Sequence, residues 1–399
     1  ETEMKFPKRA VILLFLTVYC STCLIGQDNF KTEAREKLAP FFTTPKEWAG
    51  RYGSYRSPLK FYDGRSVKTP GDWKPRRKEI LTRWHQLMGE WPPLLENQEM
   101  KVIDSLNRDG FTQYRIQFFW TPNEATEGYL LIPAGKGKRP AVITVYYEPE
   151  TAIGMGEADH PYRDFAYQLA KRGFVTLSLG TAAATKAKTF SIYYPDIDHA
   201  TVAPLSMLAC AAANAWYALS KRPEVDSARI GIMGHSFGGK WAMFASCLFE
   251  KFACAVWSDP GIVFDKSREA VNYWEPWYLG WYPRPWRKRG MITEQNPAKG
   301  LYPRLVAEGY DLQELHALMA PRPFLVSGGS EDTPASWIPL THTIKVNRLL
   351  GYNNRVGMTN RPAHSPTEAS NEIAYLFFEH FLAYNEANKS YPGTASGGK

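Results

Sequence analysis

From residue 140 onwards the chain alternates short, uninterrupted apolar runs with longer amphipathic ones. Ala141–Tyr147, Phe174–Leu179, Ala228–Met233, Phe252–Trp257 and Phe324–Gly329 read as buried strands. Between them, Phe165–Arg172 and Leu205–Arg222 read as helices, and Glu368–Tyr384 as a closing amphipathic helix. Strands apolar on both faces and separated by helices predict an α/β architecture. Its sheet is doubly wound and mostly parallel, with helices on both faces. Upstream, Phe111–Trp120 alternates and Gly128–Pro133 is closed by proline, which predicts antiparallel strands at the sheet edge. Earlier still, residues 72–88 contain a helix with Ile80, Leu81, Trp84, Leu87 and Met88 on one face, stopped at Gly89-Glu90-Trp91-Pro92-Pro93.

The pattern at the N-terminus is different. Met4–Arg9 is basic, Ala10–Ile25 is apolar, and Gly26-Gln27 is small and polar. That order predicts a secretory signal over residues 1–27 and a periplasmic or secreted protein. An N-terminal anchor, or a lipoprotein through Cys20 or Cys23, is the alternative. The remaining organisation reads as an N-terminal extension or lid over 28–100, a catalytic domain over 101–390 and a polar tail over 391–399. The mature chain keeps Cys210, Cys247 and Cys254, an odd and sparse set without disulfide or metal spacing. Buried thiols are expected, and neither a metal nor a cofactor is implied.

Gly234-His235-Ser236-Phe237-Gly238 carries the clearest chemistry. A strand leads into it and a helix, Gly239–Ala245, leads out. This strand–turn–helix setting turns G-x-S-x-G into a nucleophile elbow, in which the serine hydroxyl is lifted above the sheet edge. Such a serine needs a base, an orienting acid and oxyanion donors. His364, in a polar loop before the final helix, is the expected base. Asp332, beyond the Phe324–Gly329 strand, is the expected acid on chain order, with adjacent Glu331 and the earlier Asp259 as alternatives. The N–H of Phe237 is the first oxyanion donor and Tyr147, or Glu148, the second by position.

From about Gly128 to Leu382 the chain resembles the α/β-hydrolase superfamily. The stretch Gly234–Lys240 and the helix after it also resemble bacterial carbohydrate esterases, especially glucuronoyl esterases and their acetyl xylan esterase and pectin methylesterase-like relatives. Glucuronoyl esterases carry an arginine directly after the serine and a lysine four residues after it. Here Lys240 matches the lysine, and Phe237 stands at the arginine position. The resemblance implies a serine carboxylic-ester hydrolase acting on esterified polysaccharide or oligosaccharide. A serine peptidase of prolyl-oligopeptidase type and an inactive carbohydrate-binding homologue are the alternatives.

Composition adds a hint of substrate. The net charge is +8, with basic residues scattered rather than striped, and the chain has 13 Trp, 22 Tyr and 21 Phe. Nucleic-acid binding is not supported by that scatter. An insertion over residues 272–289 interleaves aromatics with Arg and Lys. Lys240, Trp274, Trp277, Arg284 and Arg287 are the expected substrate-binding residues, stacking on a sugar and holding its carboxylate. The other reading of the insertion is a lid that packs its aromatics onto the body.

Overall fold

The computed structural model describes residues 32–156, 161–181 and 192–383. The expected signal segment and the tail lie outside the described residues. Nine strands form one sheet: β1 (Lys101–Arg108), β2 (Phe111–Thr121), β3 (Glu124–Pro133), β4 (Arg139–Tyr146), β5 (Val175–Gly180), β6 (Val225–His235), β7 (Cys254–Ser258), β8 (Phe324–Gly328) and β9 (Val356–Asn360). Their order is β1-β2-β3-β5-β4-β6-β7-β8-β9. The β1–β2–β3–β5 end is antiparallel, and from β5 to β9 every pairing is parallel.

Strand alternation sorts the core onto the two sheet faces. Ile143, Ile232, Ala255 and Val326 enter one apolar cluster, and their neighbours Val142, Met233, Val256 and Leu325 enter the other. The first face is covered by α3 (Pro204–Ser220) and α4 (Phe237–Leu248), and the second by α2 (Phe165–Lys171) and α7 (Glu368–Phe378). Because both faces are covered, central strands such as β4 and β5 are buried nearly throughout. The apolar runs of the sequence therefore correspond to the middle of the sheet.

Helix α1 (Pro70–Met88) starts two residues before the predicted span. Proline occupies its first turn, and Thr69 with Asp72 forms a reciprocal capping box. Trp73, Ile80, Trp84 and Met88 join the main core. Arg76 is sealed beneath the helix, where it pairs with Glu314 of α5 (Gln313–Ala317) at 2.9 Å and Glu79 at 2.6 Å and bonds the Pro58 carbonyl. This anchor is invisible to an apolar-face count, because the residue at the centre of the contact is an arginine.

Several elements escape the sequence pattern. β1 is exposed along nearly its whole length, so it has no alternation. β9 is only five residues and contains Gly357, whose absent side chain makes room for the ring of Phe42. Helix α6 (Trp337–Leu349) lies outside the predicted spans. Among the described residues no helix is long and apolar enough to cross a membrane. Cys210, Cys247 and Cys254 are buried free thiols.

Asp311 ties the loop after β7 to the start of α5. Its Oδ1 accepts from the amides of Phe264 and Leu312, at 2.9 and 2.6 Å. Burial is the main cause that pushes its carboxyl up to about 7, and Asp265 adds to it. A carboxyl raised above its unfolded value takes up a proton on folding, so ionisation costs stability as pH rises from about 4 to 7. Asp311→Asn keeps Oδ1 and both amide bonds without the charge. Urea unfolding should show the variant gaining on the parent as pH rises through that window, with the difference flat above it. A pH-independent difference would contradict the assignment.

Candidate active site

The turn from β6 into α4 holds Ser236 at φ 56° and ψ −113°, a conformation costly for a residue with a side chain. Two glycines make the turn possible. A Cβ at Gly238 would stand 2.0 Å from the Val145 carbonyl, and one at Gly234 would stand 2.2 Å from the Gly238 carbonyl. Strand and helix therefore nearly touch around the serine. The Ser236 amide donates to the Ser258 carbonyl at 2.8 Å, fixing the turn to β7.

One continuous hydrogen-bond chain starts at that serine. His364 Nε2 lies 2.8 Å from Ser236 Oγ, and His364 Nδ1 lies 2.7 Å from Asp259 Oδ2. The carboxylate partner fixes the tautomer: Nδ1 donates to Asp259, and Nε2 is left to accept from the serine hydroxyl. Asp259 is fully buried, whereas the His364 side chain is 34% exposed. The acid sits at one end, sealed, and the base faces the cleft.

The histidine's partner is thus Asp259, not the expected Asp332. The reason lies in the 329–332 loop, which presents its amides rather than its carboxylates. Asp259 Oδ1 accepts from the N–H groups of Gly329 (2.6 Å), Asp332 (2.8 Å) and Glu331 (3.2 Å). The Asp332 carboxylate turns the other way and accepts from Gly261 and Ile262, at 2.8 and 2.7 Å. Burial, then the nearby Asp259 charge, raises the Asp332 carboxyl well above the usual range. Glu331 takes a hydrogen bond from Ser330. Chain order cannot distinguish a loop that supplies the acid from one that solvates it.

Sequence reading also missed Arg361. Its buried guanidinium donates to the carbonyls of His364 (2.6 Å), Ser327 (2.7 Å) and Ser365 (2.8 Å), binding the histidine loop to the end of β8. His235 lies beneath the site, with Nδ1 3.1 Å from Ser258 Oγ and its ring centroid 4.7 Å from that of His364. Burial first, then His364, Arg163 and Arg361, hold its pKa well below the ordinary value, so it stays neutral.

Phe237 is the first residue of α4, and the first bond of that helix runs from the Lys240 amide to the Ser236 carbonyl. The Phe237 N–H therefore stands at a helix N-terminus without an intrahelical acceptor. Tyr147 directly follows β4, and its ring stacks on Phe237 with centroids 4.4 Å apart. Phe237 also packs against Tyr278, with ring centroids 6.2 Å apart. Lys240, expected to reach substrate, is buried instead. Its ammonium donates to the carbonyls of Pro260 (2.5 Å) and Ala270 (3.3 Å), and burial lowers its pKa to about 8. It braces the segment after Asp259.

Residues 212–351 match the model of the prolyl oligopeptidase family. Among curated proteins, none matches in sequence. Similar solved structures include a glucuronoyl esterase from Solibacter usitatus, with 17% identity over 82% of this chain and 96% of that one, at a TM-score of 0.65. A carbohydrate esterase family 15 glucuronoyl esterase from Caldicellulosiruptor kristjansonii shares 19% identity over 90% and 98%, at 0.59. A putative acetyl xylan esterase from Bacteroides fragilis shares 15% over 76% and 79%, at 0.54. The chain has the α/β-hydrolase fold.

The insertion of this hydrolase fold packs largely against itself, which corrects three further expectations. Trp274 is fully buried, its indole N–H on the Gly290 carbonyl at 3.0 Å. Arg287 is also sealed, pairing with buried Glu275 at 2.8 Å and donating to the carbonyls of Gly290, Met291 and Asn296. Arg284 is exposed but clasps Asp198 with two nitrogens, at 2.7 and 2.5 Å. Trp277 alone of the expected aromatics is half-buried. Aromatic–cation interleaving marks packing here because each arginine finds carbonyls or a carboxylate within the chain.

Arg287→Ala should therefore act on stability first. Leaving Glu275 buried and unpaired costs about 3–5 kcal/mol in comparable cases. Urea unfolding should register a loss of that order. A variant as stable as the parent would contradict the clasp.

Proposed function

We propose that this protein is a serine hydrolase of carboxylic esters that acts on esterified cell-wall polysaccharide outside the cytoplasm. The observation that carries the reading is the unbroken Ser236–His364–Asp259 chain, beginning at a strained serine and ending at a sealed carboxylate. His364 takes the serine proton as Oγ attacks the ester carbonyl. Asp259 stabilises the imidazolium through Nδ1 and holds its orientation. The charge that develops on the carbonyl oxygen is met by the Phe237 N–H at the α4 N-terminus, with Tyr147 proposed as the second backbone donor. His364 then protonates the leaving alcohol and activates the water that cleaves the acyl-enzyme.

The carbohydrate part of the reading draws on the esterase fold neighbours, on the exposed Tyr147 ring beside Phe237 and on half-buried Trp277. The prolyl oligopeptidase family match supports the same catalytic half and favours a peptidase as the second reading. Secretion rests on the 4–27 sequence pattern.

The test is a release assay on methyl-esterified pectin, acetylated xylan, glucuronoyl esters and a prolyl anilide, beside 4-nitrophenyl acetate. Ser236→Ala should lower turnover of the preferred substrate by about 10³-fold or more while the protein stays folded. Asp259→Asn should lose about 10⁴-fold, as in triads whose acid is made neutral. Asp332→Asn should cost far less in kcat. A damaging Asp332→Asn beside a mild Asp259→Asn would remove Asp259 from the mechanism, and turnover of the anilide alone would replace the esterase by the peptidase.

A further inference from the structure

With Arg284 and Arg287 spent inside the chain, one arginine of the insertion remains available. Arg289 is exposed, and it takes part in no ion pair or hydrogen bond among the described residues. Its neighbours differ: Arg287 is clasped by Glu275, and Gly290 is bonded to the Glu275 carboxylate and the Trp274 indole. The backbone on its C-terminal side is thus fixed while its own guanidinium is left without a partner.

The position of Arg289 relates it to the candidate active site. It lines a cavity of about 240 Å³ with Glu269, Ala270, Asn272, Glu275 and Gly290. Ala270 is the residue whose carbonyl receives Lys240, one helical turn from Ser236. Arg289 also lies within electrostatic range of the hydroxyls of Tyr147 and Tyr278, the two rings that pack on Phe237. Of the lining carboxylates, Glu275 is neutralised by Arg287, and Glu269 is exposed and forms no ion pair with Arg289. Glu148, exposed and next to Tyr147 in the chain, is an opposing charge near the same hydroxyl.

We propose that Arg289 selects substrates that carry a free carboxylate on the sugar next to the esterified one. The inference rests on the esterase reading above and adds a specificity determinant to it. A guanidinium fork fits a planar carboxylate through two parallel hydrogen bonds, and an exposed one is not committed elsewhere. Partly de-esterified polyuronate offers this combination: an ester to cleave and an anion one residue away.

The experiment compares kcat/KM on a partly de-esterified and a fully methyl-esterified oligogalacturonide, for the full chain and for Arg289→Gln and Arg289→Lys. The parent should prefer the anionic substrate about ten-fold, the equivalent of one charge-assisted contact. Arg289→Gln should erase that ratio through KM, and Arg289→Lys should keep part of it. Raised salt should shrink the parent's ratio, because the contact is exposed. A parent without preference, or a ratio unchanged in Arg289→Gln, would overturn the proposal. Ser236-dependent turnover of 4-nitrophenyl acetate with no cleavage of either oligogalacturonide, acetylated xylan or a glucuronoyl ester would overturn the carbohydrate reading and this proposal with it.

Discussion

The burial of the Asp259 carboxylate is the constraint around which the candidate site is arranged. An ionised carboxylate withdrawn from water is costly unless donors replace the solvent. Here the replacements are the backbone amides of the 329–332 loop and the imidazole N–H of His364. The loop must therefore pass close to β7, and Gly329 allows it: a Cβ there would lie 2.6 Å from Asp259 Oδ2. Asp332, Gly261, Ile262 and Lys240 form the layer beneath, each polar group answered by a backbone partner. The serine turn and the histidine loop are then positioned against an acid that is already fixed.

Much of this was legible in the sequence because it follows from local rules. The buried strands appear as apolar runs because the sheet is covered on both faces. The elbow is readable because two backbones cannot approach without glycine at 234 and 238. The placing of His364 before the last helix is likewise a matter of order along the chain. What remained hidden is long-range pairing. The carboxylate that meets His364 is 105 positions away in sequence, and two acidic loops lie beside each other at the ends of β7 and β8. Their amides and side chains can exchange roles without changing the pattern of residue types.

The insertion gives the same lesson with arginines. Arg284, Arg287 and Arg289 are alike in sequence, yet one clasps Asp198, one is sealed against Glu275 and one is left uncommitted. A basic, aromatic segment thus has no single meaning. Its charge becomes structural wherever carbonyl groups or a carboxylate lie within reach, and only the remainder is free to meet another molecule.

The clasp of Arg287 also bears on the kinetics of entry. A segment held by an ion pair and three carbonyl bonds is ordered before any ligand arrives, so the entropy of ordering it is settled during folding. Binding then need not include a closing step. A ligand that reaches this segment meets shape and charge already in place.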